Sequence, residues 1–180
     1  EEYEVAIEVA LGPAQQFVVA RRDEDAKAAI AFLKERGLGR ATFLPLESLR
    51  PSLPPSDALA RLKSIEGAIG MASDLVRADE SVRPAVLYLL GRVAVARDLD
   101  AAIAVARQVR GLSRVVTLDG DVVVPGGAMT GGSRQERSDG LLGRGRRLQE
   151  LARGIAELEA AVAARERRIA QIDGELERGR

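Results

Sequence analysis

The sequence predicts an α/β (α+β) fold: two pseudo-symmetric lobes of mixed sheet with flanking helices, followed by a long coiled-coil helix. Three observations carry that prediction. A strand-helix-strand pattern occurs twice, a glycine-rich hairpin stretch runs from Gly111 to Ser133 (GLSRVVTLDGDVVVPGGAMTGGS), and an apolar heptad seam fills the C-terminal quarter.

The elements follow in order. Tyr3, Ile7, Ala10 and Leu11 recur at helical spacing, and Gly12-Pro13 closes a short amphipathic helix. Phe17 to Ala20 reads as a buried strand. Asp23-Glu24-Asp25 then supplies acidic residues to the first turn of a helix through Arg36, with Ala26, Ala29, Ile30 and Leu33 as its inner face. Gly37 or Gly39 ends this helix, and Ala41 to Leu44 is the next strand.

The unit then repeats. Leu11-Gly12, Val18-Val19, Asp23 and Ile30 have counterparts in Leu90-Gly91, Val93 to Val95, Asp98 and Ile103, and GLGRATFLP from Gly37 parallels GLSRVVTLD from Gly111. Between the copies, LRPSLPPS (Leu49 to Ser56) predicts irregular chain. Gly67 and Gly70 allow a tight bend, Met71 to Val76 reads as an edge strand, and a helix from about Val82 to Leu90 carries Pro84 in its first turn.

In the Gly111 to Ser133 stretch, Val115 to Leu118 and Val122 to Val124 flank Asp119-Gly120, which predicts a hairpin with a primed two-residue turn at one edge of a sheet. Behind it, Gly126, Gly127, Gly131 and Gly132 bracket Ala128-Met129-Thr130. Such density marks positive φ or the close approach of another backbone, and we assign that backbone to a second copy of the chain.

From Arg134 to Arg147 the chain is polar and rich in arginine. Leu148, Leu151, Ile155, Leu158, Val162, Arg165, Ile169, Ile172 and Leu176 then alternate steps of three and four. This is a heptad seam with one arginine at a d position, and its exposed apolar stripe requires a partner helix.

Composition excludes several chemistries. The 180 residues carry 27 basic and 27 acidic side chains, so attraction to nucleic acid must come from local clustering rather than net charge. With no cysteine and no histidine, thiol nucleophiles, Ser-His-Asp triads and the commonest zinc sites are all absent, and no metal or cofactor is expected. There is neither a run of about twenty apolar residues nor a secretory leader, which predicts a cytoplasmic chain without membrane contact. A start at Glu1 rather than Met predicts a piece of something longer.

Each sharp motif has a plainer reading. Gly126 and Gly131 match the spacing of a phosphate loop, but Gly132 stands where the lysine should be, leaving phosphate charge without a counter-ion. Asp119 and Asp121 are explained by an Asp-Gly turn. Arg134, Arg137, Arg144, Arg146 and Arg147 suit sequence-independent phosphate contacts, yet also a solvated linker in a chain whose lysines are only Lys27, Lys34 and Lys63.

VTLDGDVVVPGGAMTGGS resembles the end of the hinge domain of the structural maintenance of chromosomes (SMC) proteins. LGRATFLPL (Leu38 to Leu46), EGAIGMASDLV (Glu66 to Val76) and LLGRVAVARDLDAAI (Leu89 to Ile103) resemble the same hinge in the same order, the bacterial condensin type above all. The resemblance implies a hinge over 1–133, with one lobe to about 66 and another from about 67, a basic neck over 134–147 and an outgoing coiled-coil segment over 148–180. It implies homodimerisation through Gly67, Gly70, Met71, Gly126, Gly127, Met129, Gly131 and Gly132. It implies weak DNA binding near the neck and an antiparallel partner helix from the same longer chain. It further implies a nucleoid-associated, non-catalytic role, ATP hydrolysis belonging to head domains elsewhere. The alternative from another class is a small α/β nucleotide-binding domain or enzyme with an appended helix.

Overall fold

The computed structural model describes residues 2–132 and 141–178. The chain divides after Gln135 into two compact units.

In the first unit, α1 (Glu4–Leu11) buries Ala6, Ile7 and Ala10. It stops at Gly12, whose positive φ of 51° glycine adopts without strain. A 3-10 turn over Gly12–Gln16 leads into β1 (Val18–Ala20), α2 (Asp23–Arg36) and β2 (Phe43–Pro45). The start of α2 is fixed by Asp25, which accepts the Arg22 N–H at 3.2 Å, and by Asp23, which accepts the Ser48 hydroxyl at 2.6 Å. Its end is Gly37, left-handed at φ 61°.

β1 and β2 form a parallel two-stranded sheet, with no further strand on either edge among the described residues. That narrowness overturns two expectations. The strand anticipated as buried is open, Val18 being 45% and Val19 42% exposed, and Ile30 of the expected inner helix face is 40% exposed. Two short strands do not span the width of a fourteen-residue helix, so only Ala26 is fully covered.

The second copy of the unit is β4 (Val93–Ala96), α5 (Leu99–Gln108) and β5 (Arg114–Thr117), again with parallel strands. Here the sheet is completed to five strands in the order β3-β4-β5-β6-β7 by β3 (Ala68–Met71), β6 (Val122–Val123) and β7 (Met129–Thr130). Both faces are packed. α5 and α3 (Ser56–Lys63) cover a core of Leu62, Met71, Val105, Val115 and Val123, while α1 and α4 (Arg83–Leu90) cover Leu90, Val93, Val95 and Val116. Parallel strands buried on both faces are continuous runs of β-branched residues, as Val93 to Val95 and Val115-Val116 are.

Further corrections concern local geometry. The edge strand is Ala68–Met71 rather than Met71 to Val76, because Ala72–Asp74 turns in a 3-10 helix beneath α4, where the Arg83 guanidinium holds the Ser73 carbonyl at 2.9 Å. The Asp119-Gly120 turn is not a two-residue primed turn. Thr117 and Asp121 close a three-residue loop, Gly120 donating to the Thr117 carbonyl and Thr117 to the Asp121 carbonyl, with Gly120 at φ 93°. Helix α3 was not signalled by the sequence, since its buried face is the single pair Ala58 and Leu62.

The second unit's described element is α6 (Leu141–Arg178), which starts seven residues before the seam. Leu148, Leu151, Ile155, Leu158, Val162, Ile169 and Ile172 are all exposed along it.

Candidate functional site

β6 and β7 are joined by a loop of the same design as that between β5 and β6. Val124 donates to the Ala128 carbonyl and Gly127 to the Val124 carbonyl, both at 2.8 Å, and Gly127 takes φ 98° where Gly120 takes 93°. Pro125 sits at the first loop position, where its fixed φ fits. The result is a short strand, β7, outermost among the described residues, with Met129 52% exposed and no described strand on its far side. The opposite edge of the same sheet is β3, which carries Gly70 at a register shift against β4. The two glycine patches named from the sequence therefore occupy the two borders of one sheet.

The glycines separate into two groups by what a side chain would meet. At Gly67 a Cβ would lie 2.7 Å from that of Ala101, and at Gly131 it would collide with the Asp121 carboxylate, so both are dictated from within the chain. At Gly70, Gly126, Gly127 and Gly132 a Cβ would meet open space. Gly70, Gly127 and Gly132 still have positive φ, at 159°, 98° and 133°. Gly126 has neither a positive φ nor a neighbour among the described residues, so none of them requires a glycine there. Met71 is only 4% exposed and belongs to the core, leaving Met129 as the methionine available at the surface.

The two-stranded sheet of the first copy is a second surface with exposed apolar side chains. Val18, Val19, Phe32 and Leu38 are exposed around it, and a groove of about 570 Å³ runs between α2 and the 39–41 segment, lined by Ile30, Leu33, Lys34, Gly39, Arg40 and Ala41. Sequence reasoning named no residue of this surface as part of a site. Its signal was the repeat itself, because the first copy has no counterpart of β6 and β7, which follow β5 in the second.

Of the neck arginines, Arg134 and Arg137 lie outside the described residues, and Arg144, Arg146 and Arg147 fall in the first two turns of α6. The phosphate-loop reading gains no geometry. Gly126 and Gly131 stand on either side of β7 rather than on a loop that opens a helix. Among the described residues no group of acidic side chains is placed to hold a metal ion.

Duplicated strand-helix-strand units, one finished into a five-stranded sheet and one left as two strands, define the class of an α/β domain with bare sheet borders. The family model described as "SMC proteins Flexible Hinge Domain" matches residues 1–106, and the chain belongs to the SMC hinge family. It is 40% identical over 169 residues to the chromosome partition protein Smc of Bacillus subtilis, covering 94% of this chain and 14% of that protein. Against the corresponding protein of Methanocaldococcus jannaschii the identity is 43% over 137 residues, covering 76% and 11%. The chain thus spans a small fraction of its curated relatives.

Solved structures agree. An asymmetric dimer of the Geobacillus stearothermophilus SMC hinge domain superposes with TM-score 0.72 at 40% identity, covering 98% of this chain and 70% of that one. The Pyrococcus furiosus SMC hinge domain gives 0.60 at 35% identity, covering 78% and 69%.

Proposed function

We propose that this chain is the homodimerisation hinge of a chromosome-partitioning SMC protein, joining two coiled-coil arms at the apex of a V or ring that holds DNA. The carrying observation is the inequality of the two repeats. One copy ends in a glycine-lined free strand, β7, and the other is a two-stranded sheet whose valines are open to solvent. Each is what the other lacks. Pairing β7 of one subunit with the first-copy sheet of another, twice about a two-fold axis, completes both sheets in a closed, ring-like dimer.

In this reading Gly126, Gly127, Met129, Gly132 and Gly70 face the partner, whereas Gly67, Gly131 and Met71 keep the borders in shape from inside. The 1–133 region holds two lobes meeting near residue 66. The dimer structure of the Geobacillus relative supports the association.

The arginines at 134, 137, 144, 146 and 147 form a neck that contacts DNA phosphates weakly and without sequence preference. The exposed seam of α6 pairs with an antiparallel helix from the same longer chain, and the protein works in the cytoplasm on the nucleoid. Catalysis is not this region's task; ATP hydrolysis belongs to head domains of the whole protein. Sedimentation of the chain with and without residues 134–180 tests the core of the proposal. A dimer that persists after the truncation places association in the sheets, and a monomer removes it from them.

A further inference from the structure

The first copy of the repeat is held by the chain at its two ends. On the way in, Ala6, Ile7 and Ala10 of α1 share a core with Val93, Val95 and Val116 of the second copy, and Gln15 Nε2, in the 3-10 turn that follows, donates to the Glu8 carbonyl at 3.0 Å. On the way out, the Leu49 N–H donates to the Pro45 carbonyl at 3.0 Å, and the proline-rich segment runs on to α3, whose Ala58 and Leu62 enter the other core. Between those ends little holds it. Of residues 12–52 only Ala26 and Leu44 are buried, and neither core of the five-stranded sheet includes a residue between Leu11 and Ala58. β1, α2 and β2 pack chiefly on one another. Two lobes without a shared hydrophobic interface move relative to one another unless something else fixes them.

The glycines of the repeat show what does. Gly12 and Gly37 in the first copy correspond to Gly91 and Gly111 in the second. At Gly12 and Gly37 a Cβ would meet open space. At Gly91 it would lie 2.8 Å from Leu53 Cδ2, besides meeting the Leu87 carbonyl of its own helix, and at Gly111 it would lie 2.7 Å from Pro55 Cδ and 3.3 Å from Pro54 Cα. Gly37 and Gly111 both have positive φ, 61° and 82°, so the backbone alone favours glycine there in either copy. What differs is the occupant: in the second copy Leu53-Pro54-Pro55 lies across the bare backbone of both glycines. That seat is itself braced. Arg92 Nε donates to the Gly111 carbonyl at 2.5 Å, and the Ser113 N–H to the Arg92 carbonyl at 2.8 Å. Prolines at 51, 54 and 55 fix φ and leave the segment few conformations.

We propose that Leu53, Pro54 and Pro55 are positioning residues, a stiff strap seated on Gly91 and Gly111 that fixes the angle of the first copy on the second. Its consequence rests on the reading of the chain as an association hinge, where that angle decides closure. A chain with two mating surfaces at a fixed angle closes as a two-fold dimer, whereas one whose surfaces swing loses the effective concentration of the second contact and grows into open assemblies.

The test reads the angle and the assembly separately. The chain has no cysteine, so Lys27→Cys on α2 and Arg107→Cys on α5, both exposed, accept a dye pair without background. Single-molecule energy transfer at high dilution, where subunits are apart, should give one narrow distance, and L53A/P54A/P55A should roughly double its width. Leu53→Met, which still fills the seat, should keep it narrow. Leu53 is 57% exposed, so truncating it leaves the cores intact, and L53A alone is read should the triple variant fail to fold. An unchanged width overturns the strap. In sedimentation equilibrium the triple variant should lose the dimer plateau, its average mass climbing with concentration from below two subunits to above. A plateau equal to that of the unaltered chain overturns the role in closure. An unaltered chain that stays monomeric sinks the association reading alone, and the width still decides the strap.

Discussion

The carboxylate of Asp121 rests directly against Gly131, one strand away, where any side chain would collide with its Oδ1. Asp121 has little freedom to withdraw. Its N–H donates to Thr117 Oγ1 at 2.9 Å, and Thr117 is wholly buried. One glycine of the family-like motif is thus explained by its own subunit, while Gly126, five residues earlier, is not.

Gly131→Ala should therefore destabilise the first unit by about 1–3 kcal/mol, the usual cost of forcing atoms into a filled site. Urea unfolding followed by circular dichroism measures it. Asp121→Ala in the same chain should recover most of the loss, since the collision disappears with the carboxylate, and a double-mutant cycle isolates that coupling. A neutral Gly131→Ala would show that the loop yields instead.

Acid should weaken the unit through its helix starts. Asp98 accepts the Ala101 N–H at 2.9 Å and pairs with Arg97, and these, the Ala101 N–H foremost, hold its carboxyl below the usual carboxylate range. The Arg22 guanidinium acts likewise on Asp25. A lowered folded value means that the stabilisation is complete above the unfolded value of about 3.9 and is lost as pH falls through the folded one. The urea midpoint should thus fall below about pH 4. Asp98→Asn, which keeps an acceptor for the cap without the charge, should show a shallower fall, and Asp98→Ala should already be weaker at neutral pH.

Much of this fold is written in the sequence because local signals and burial agree. Asp23 and Asp98 open helices, Gly37 closes one, and Val93 to Val95 and Val115-Val116 form buried parallel strands. The first copy misleads for a physical reason. Phe17 to Ala20 has the composition of a buried strand, but a strand's burial depends on what covers it, and one chain supplies only β2 beside it. The same holds at the site. Glycine spacing marks the two sheet borders correctly, yet it does not separate Gly131, demanded by Asp121, from Gly126, demanded by nothing internal. That distinction needs coordinates.

The second unit offers a simpler test. Gly154 and Gly174 lie inside the thirty-eight-residue α6, and each costs about 1 kcal/mol of helix stability relative to alanine. Arg165, exposed like its neighbours, interrupts the apolar seam between Val162 and Ile169. In a peptide of residues 141–178, Gly154→Ala with Gly174→Ala should raise the 222 nm signal at all concentrations. Arg165→Leu should instead make the signal rise with concentration, because a continuous seam associates. If Arg165→Leu leaves the helix as weak at high concentration as at low, the stripe is not a pairing surface.

The strongest prediction concerns Gly126, because no described residue of its own subunit requires a glycine there. With negative φ and open space around it, Gly126→Val adds a side chain where the isolated chain has room, so the subunit's urea midpoint measured at high dilution should barely move. If a second backbone lies against that hairpin in the dimer, the added methyl groups hold the strands apart and the interstrand hydrogen bonds fail together. Sedimentation equilibrium should then show Gly126→Val as a monomer at concentrations where the unaltered chain is dimeric. The reciprocal surface gives the control. Val19→Lys, 42% exposed in the subunit, should also fold normally and also dissociate, since a lysine head group cannot be buried between sheets without a partner. Because the contact occurs twice in a closed dimer, either change removes both copies at once, so intermediate masses are not expected. A Gly126→Val chain that sediments as a dimer would require the two borders to meet something other than each other.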